Sequence, residues 1–150
     1  MALPTAPPEV LSLLKEREGW RTDVYLDSLD KPTSGMGHLL SESELAQYPV
    51  GSTVPEDILE QWQASDVNTA YLAALAQSAA IGFDNQILVN ALASVSFQLG
   101  ADWHKKLYGT WNLLTTHQWS AAAAHEELSL WAKETPLRAK DFADALISLE

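Results

Sequence analysis

Residues 18–38 decide the fold class, and they read Glu-Gly-Trp-Arg-Thr-Asp-Val-Tyr-Leu-Asp-Ser-Leu-Asp-Lys-Pro-Thr-Ser-Gly-Met-Gly-His. Aromatic and β-favouring side chains alternate here with polar ones. Four turn-forming residues interrupt the run, namely Asp30, Pro32, Gly35 and Gly37. This pattern is typical of a small, turn-rich β region. We therefore predict short strands between Trp20 and Leu40.

Helical patterns lie on both sides of this region. Pro7-Pro8 suits a helix start and Gly19 suits a helix end, so Glu18 is predicted at the carboxyl end of a first helix. Ser41 with Glu44 resembles a helix-capping pair. Further helices are predicted over about 55–79, 85–99, 105–114, 119–131 and 136–149. One small β region among many helices predicts an α+β protein dominated by helix.

Length and composition narrow the class of protein. The 150 residues suit one domain, and 47% of them are hydrophobic, enough for a core of its own. No cysteine is present, which excludes disulfides and thiolate zinc sites. The formal net charge of −11 argues against a nucleic-acid partner, because such binding depends on Lys and Arg neutralising phosphates. The histidines show no metal-ligand spacing, so we expect neither a metal nor a cofactor.

Membrane and export signals are not recognisable in the sequence. The longest apolar stretch, Tyr71 to Phe83, is too short for a bilayer span, which needs about 20 apolar residues. Residues 1–8 lack the basic start and long apolar run of an export signal. We expect no membrane insertion and no signal peptide.

Glu18, Asp27 and Thr33 are the first candidates for chemistry. Hydrolysis of a glycosidic bond needs a carboxylic acid that protonates the leaving oxygen and usually a second carboxylate across a cleft. Alone, this pair is weak evidence, since 20 of the 150 residues are acidic. The alternative is a solvated helix-end glutamate, an aspartate that caps its own turn and an ordinary strand threonine.

The wider run resembles the signature of the phage-lysozyme family of glycoside hydrolases. That signature is Glu-Gly-x-Arg-x3-Tyr-x-Asp-x5-Thr-x-Gly-x-Gly-His, and residues 18–38 fill every named position. Two later segments also resemble the family, Phe97-Gln98-Leu99-Gly100 and Trp131-x4-Pro136-x-Arg138-Ala139. The stretch 41–54 shows no clear correspondence.

The resemblance implies catalytic roles for three residues. Glu18 would be the general acid, Asp27 the partner carboxylate and Thr33 the hydroxyl that positions water. The reaction in that family inverts the anomeric centre, which implies a water bound by Asp27. Many relatives have glycine where this chain has Asp30, and aspartate tolerates the left-handed conformation better than most residues.

The resemblance also implies binding and supporting residues. Leu39, Phe97 and Gln98 match positions that line the sugar-binding cleft, and Arg138 matches an arginine that pairs with the catalytic glutamate. His38 matches a histidine that forms a structural ion pair. Its acidic partner is expected within residues 41–54, the stretch that shows no clear correspondence to the family.

The implied architecture is a lysozyme-like fold of two lobes, about 1–55 and 80–150, joined by a long helix over about 56–79. The small β region would lie in the amino-terminal lobe, the other lobe would be helical, and the cleft between them would hold a glycan. We expect a monomer.

The implied function is that of an endolysin, a muramidase that hydrolyses the β-1,4 bond between N-acetylmuramic acid and N-acetylglucosamine in bacterial peptidoglycan. It would be made in the host cytoplasm and reach the periplasmic wall with the help of a separate holin. Two alternatives stay open: a lytic transglycosylase, which needs one acid, and a non-catalytic wall-binding or virion structural module with the same fold. The negative net charge of this chain differs from the positive charge of basic lysozymes. This difference favours keeping the non-catalytic module as an alternative.

Overall fold

Three short antiparallel strands form the predicted β region. In the computed structural model, which describes residues 4–150, they are β1 (Arg21–Leu26), β2 (Pro32–Gly35) and β3 (His38–Leu39), in the order β1-β2-β3. Residues 1–3, which belong to the stretch where we expect no export signal, lie outside the described residues. Thr33 pairs with Tyr25 on one side and with Leu39 on the other. The strands therefore bring the second half of the motif beside the first.

The turn between β1 and β2 contains a left-handed residue. Asp30 has φ of 59°, so the expected left-handed aspartate is confirmed at this position. The turn is closed by the Asp27 N–H, which donates to the Lys31 carbonyl at 2.9 Å. Asp27 is thus held at the mouth of a tight hairpin.

Helices make up most of residues 4–150. Their bounds are α1 (Pro8–Glu18), α2 (Glu42–Gln47), α3 (Glu56–Ile81), α4 (Gln86–Leu99), α5 (Trp103–Lys106), α6 (Tyr108–Thr115), α7 (Trp119–Glu126), α8 (Leu130–Glu134) and α9 (Pro136–Ile147). Ser41 and Glu44 form the capping box predicted for α2. The mostly helical α+β class is therefore confirmed.

Two predicted helices are each split in the structure. The helix predicted over 105–114 is interrupted at Leu107, whose φ of −106° and ψ of 49° are not helical. The helix predicted over 119–131 ends at Glu126, and Ser129 starts α8 by accepting a hydrogen bond from the Ala132 N–H. Breaks this short leave the spacing of apolar side chains almost unchanged, so the sequence pattern did not reveal them.

Two clusters of buried side chains hold the elements together. The smaller one lies against the sheet and contains Val24, Val54 and Leu59. The larger one draws on α1 and on helices from α3 to α9. Helix α3 supplies Leu59 to the smaller cluster and Val67 to the larger one, so it connects them.

Helix α1 packs on the helical side of the molecule. Its buried residues Val10 and Leu14 belong to the larger cluster, and α1 packs on α4.

The division of the chain into lobes near residues 55 and 80 stays a prediction. Among the described residues, no helix has the length and apolar character that a membrane span requires.

Candidate active site

Glu18 is joined directly to Arg138. Glu18 is the last residue of α1, and its Oε1 accepts a hydrogen bond from Arg138 Nη1 on α9. Arg138 is only 7% exposed, and its Nη2 donates to the Ser94 carbonyl on α4 at 3.0 Å. One guanidinium therefore ties the carboxyl end of α1 to two other helices.

The second oxygen of Glu18 faces the turn between β2 and β3. A Cβ atom built on Gly37 would lie 3.5 Å from Glu18 Oε2. Gly37 has φ of 78°, a conformation in which a side chain is strained. Glycine therefore lets the backbone approach Glu18 while Oε1 is occupied by Arg138.

The Asp27 carboxylate is oriented by its own hairpin turn. Its Oδ1 accepts hydrogen bonds from the Leu29 N–H at 2.8 Å and the Lys31 N–H at 2.9 Å. The alternative in which Asp27 caps its own turn therefore holds for Oδ1. Within residues 4–150, the protein's hydrogen bonds to this carboxylate all go to Oδ1, which leaves Oδ2 for a ligand or water.

Thr33 shares a backbone partner with Asp27. Its Oγ1 donates to the Lys31 carbonyl at 2.9 Å, and the residue is 3% exposed. A hydroxyl has one hydrogen to donate and two lone pairs that accept. With its hydrogen committed to Lys31, Thr33 can act toward a water molecule only as an acceptor.

His38 lies between two carboxylates. Its Nδ1 is 2.7 Å from Asp66 Oδ2, its Nε2 is 2.9 Å from Glu44 Oε1, and its ring stacks on Trp62 with centroids 4.5 Å apart. Burial opposes the charged form, but the hydrogen bonds and charges of Asp66 and Glu44 outweigh it and raise the pKa of His38 above its ordinary 6.5. Burial likewise opposes the charge on Glu44, yet the Ser41 backbone and His38 lower the pKa of that carboxyl below 4.5.

An open pocket of about 300 Å³ lies between the β2–β3 turn and the helices α3 and α4. Leu39 and Phe97, both predicted to line the sugar cleft, line it together with Gly37, His38 and Asp66. Gly37 connects the pocket with Glu18, because it lines the pocket and its backbone lies beside the Glu18 carboxylate.

Gln98 has a different position. It does not line the pocket; its Oε1 accepts a hydrogen bond from Trp131 Nε1 at 2.9 Å. This bond holds the carboxamide oxygen, so the amide nitrogen is the group left to meet a ligand.

Sequence reasoning missed the residues that support the site from distant elements. Asp66 holds His38 from α3, and Ser94 holds Arg138 from α4. Glu44 lies in the stretch where the acidic partner of His38 was expected, but its spacing from Ser41 identified it only as a helix-capping residue and not as that partner. Asp66 and Ser94 follow ordinary helical patterns, and no sequence signal identified them.

The mostly helical α+β fold with its three-stranded sheet and the long helix α3 fits a lysozyme-like protein. The family model described as phage lysozyme matches residues 15–146, and the chain belongs to the phage lysozyme family. This family of glycoside hydrolases is the one that residues 18–38 resemble.

Two curated relatives are similar to the chain. It is 27% identical over 129 residues to peptidoglycan hydrolase gp36 of Pseudomonas phage phiKMV, a match that covers 86% of this chain but 14% of the relative's length. It is 25% identical to probable T4-type lysozyme 2 of Dictyostelium discoideum, with 84% of this chain and 86% of the relative covered. The chain thus spans about a seventh of the phage relative and most of the second.

Proposed function

We propose that this protein is a muramidase that hydrolyses the β-1,4 bond between N-acetylmuramic acid and N-acetylglucosamine in peptidoglycan. The observation that carries the proposal is the pair of half-occupied carboxylates, Glu18 with Oε2 beside Gly37 and Asp27 with Oδ2 unbonded by the protein. The phage relative is named as a peptidoglycan hydrolase, which supports the choice of substrate.

The proposed reaction inverts the anomeric centre. Glu18 donates its proton to the glycosidic oxygen, and the bond between that oxygen and the anomeric carbon breaks. A water molecule attacks the same carbon from the opposite face and gives its proton to Asp27, while Thr33 accepts a hydrogen bond from this water. The cycle ends with Glu18 ionised and Asp27 protonated, and exchange with solvent restores both.

The wider biological role extends the proposal. The glycan lies between lobes of about 1–55 and 80–150, and Leu39, Phe97 and Gln98 contact it. The protein acts as a monomeric endolysin, made in the host cytoplasm and admitted to the periplasm by a separate holin. No metal or cofactor takes part.

Product analysis tests the reaction. Purified peptidoglycan is digested with the parent protein, Glu18→Gln and Asp27→Asn, and the fragments are identified by mass spectrometry. Matched controls are Glu16→Gln, an exposed glutamate on the same helix, and Asp30→Asn, which keeps a side chain that tolerates the left-handed turn. We expect reducing-end muropeptides from the parent and the controls, and almost none from the two site variants.

Other products would overturn this assignment. Anhydro-muropeptides would identify a lytic transglycosylase. Absence of products from every form, combined with retention on the wall material, would identify a binding module.

Access to the wall is tested separately. The protein is expressed in a Gram-negative host without a holin, and culture turbidity is followed before and after chloroform permeabilises the inner membrane. We expect lysis only after chloroform. Lysis of untreated cells at the same expression level would contradict the dependence on a holin.

A further inference from the structure

A second ion pair lies beside the contact between Glu18 and Arg138. Arg17 Nε donates to Asp141 Oδ2 at 2.8 Å, and Arg17 Nη2 donates to Asp141 Oδ1 at 3.1 Å. This is the two-pronged geometry in which arginine binds a carboxylate best. Both side chains are mostly shielded, with exposed fractions of 21% and 26%.

The two ion pairs connect the same two helices at the same place. Arg17 immediately precedes Glu18 at the end of α1, and Asp141 follows Arg138 by three residues on α9, about one helical turn away. The charges alternate, positive then negative on each helix, so each arginine faces a carboxylate of the other helix. The exposed Glu16 carboxylate is a more distant neighbour of Arg17, 4.0 Å from its Nη1. Together they give two points of attachment between α1 and α9.

One of the two attachments changes during the proposed reaction. While Glu18 carries the proton that it will donate, it is neutral, and its ion pair with Arg138 is reduced to a hydrogen bond from the charged guanidinium to a neutral carboxyl oxygen. The pairing of Arg17 with Asp141 does not involve that proton. The end of α1 is followed directly by Gly19, with φ of 74°, so the helix itself continues no further to hold Glu18 in place.

We propose that Arg17 and Asp141 are positioning residues that hold the carboxyl end of α1 on α9, so that Glu18 keeps its place beside Arg138 in both protonation states. The inference rests on the proposed function, because it takes Glu18 to be the proton donor. Neither residue contacts the reacting atoms in this scheme.

Steady-state kinetics on solubilised peptidoglycan strands test the proposal. In Arg17→Gln and Asp141→Asn we expect kcat to fall about tenfold while KM stays within about twofold, because misplacing a catalytic group affects the transition state more than substrate binding. Arg17→Lys keeps the charge and one hydrogen bond, and it should recover most of kcat. The matched control is Lys140→Gln, which removes the exposed pair between Lys140 and Asp144 on the same helix and should leave both constants unchanged.

Hydrogen exchange supplies a readout that does not depend on activity. Mass spectrometry of the peptide spanning residues 14–21 should show faster backbone exchange in Arg17→Gln and Asp141→Asn than in the parent and in Lys140→Gln. A kcat within twofold of the control, a rise in KM alone, or unchanged exchange in this peptide would each overturn the proposal.

Failure of the proposed function has a separate signature. A parent protein that releases no reducing ends would refute the muramidase, and the exchange data would then decide by themselves whether the pair holds the end of α1. An active parent with a fully active Arg17→Gln would refute only the positioning role.

Discussion

Glu18 and Arg138 form an ion pair across 120 residues of sequence. Because the Arg138 guanidinium also donates to the Ser94 carbonyl, the pair joins three helices at one point, the carboxyl end of α1, the first turn of α9 and the middle of α4. The proposed acid therefore depends on a side chain that belongs to the last helix of the chain.

Replacement of Arg138 by lysine should damage activity and stability together. Lysine keeps the charge but cannot bond Glu18 and Ser94 with two separate nitrogens. We expect kcat to fall about tenfold or more, and the free energy of unfolding to fall by about 2 kcal/mol, the order of a charge-assisted hydrogen bond. Rates on purified peptidoglycan and thermal unfolding measure the two effects, with Lys140→Arg on the exposed side of α9 as the control. Parental values of both quantities would show that the ion pair is dispensable.

Thr33→Val should reduce turnover with little loss of stability. Valine preserves the shape of the side chain but cannot accept a hydrogen bond from water, so we expect kcat to fall about tenfold. Loss of the bond to Lys31 should cost about 1 kcal/mol of unfolding free energy. Thr33→Ser should retain activity, since it keeps the hydroxyl.

A neighbouring hydroxyl provides the control for Thr33. Ser34→Ala removes a buried hydrogen bond to the Asp23 carbonyl of 2.8 Å and should cost similar stability without changing kcat. If both variants lost turnover equally, the effect of Thr33 would be structural.

His38 should stabilise the fold most between pH 4.5 and 6.5. Its pKa is raised in the folded state, so its contribution is complete below 6.5 and is lost as the pH rises through the raised value. The pKa of Glu44 is lowered, so its contribution is complete above 4.5 and is lost as the pH falls. Both contributions are therefore complete only in this window.

The measurement compares thermal unfolding of the parent and His38→Gln from pH 4 to pH 9. We expect the variant's deficit in Tm to be largest near pH 5.5, about 3 to 6 °C, and to shrink toward pH 9. Glu42→Gln, an exposed site on α2, should show no comparable deficit. A deficit that is constant with pH would mean that the histidine acts by packing on Trp62 alone.

Glu126 should lower stability at neutral pH. It is completely buried, and neither of its oxygens has a hydrogen-bond partner among the described residues. Burial, and then the neighbouring Glu127, raise the pKa of Glu126 to about 9. Because the unfolded chain releases this proton near pH 4.5 and the folded chain retains it, stability should fall as the pH rises from 4.5 toward 9.

Glu126→Gln removes this ionisation while keeping the size of the side chain. At pH 7 we expect the variant to melt about 2 to 6 °C higher than the parent, and at pH 4 the two should melt together. Glu134→Gln on the exposed surface serves as the control. An equal shift at both pH values would attribute the change to packing rather than to the proton.

Local sequence predicted the elements whose causes are local. Helix α1 begins at Pro8 and ends just before Gly19, and Ser41 and Glu44 cap α2. Asp30 adopts the left-handed conformation that the turn between β1 and β2 requires. Each of these depends on the conformational preference or hydrogen bonds of a few adjacent residues. The breaks at Leu107 and before Ser129 were missed, because they barely disturb the helical periodicity.

The sequence by itself determined the helical α+β class, the hairpin that carries Asp27 and Thr33, and the motif that marks the family, since all of these are written in neighbouring residues. The family resemblance predicted that Arg138 pairs with Glu18. Only the tertiary structure decided that Ser94 joins this pair, that Asp66 and Glu44 enclose His38, and that Arg17 meets Asp141. Except for His38 and Glu44, which are six residues apart, these contacts join helices and turns far apart in the chain. Their geometry follows from how the helices pack on one another. Spacing along the sequence does not directly encode the distance in space between residues on different helices.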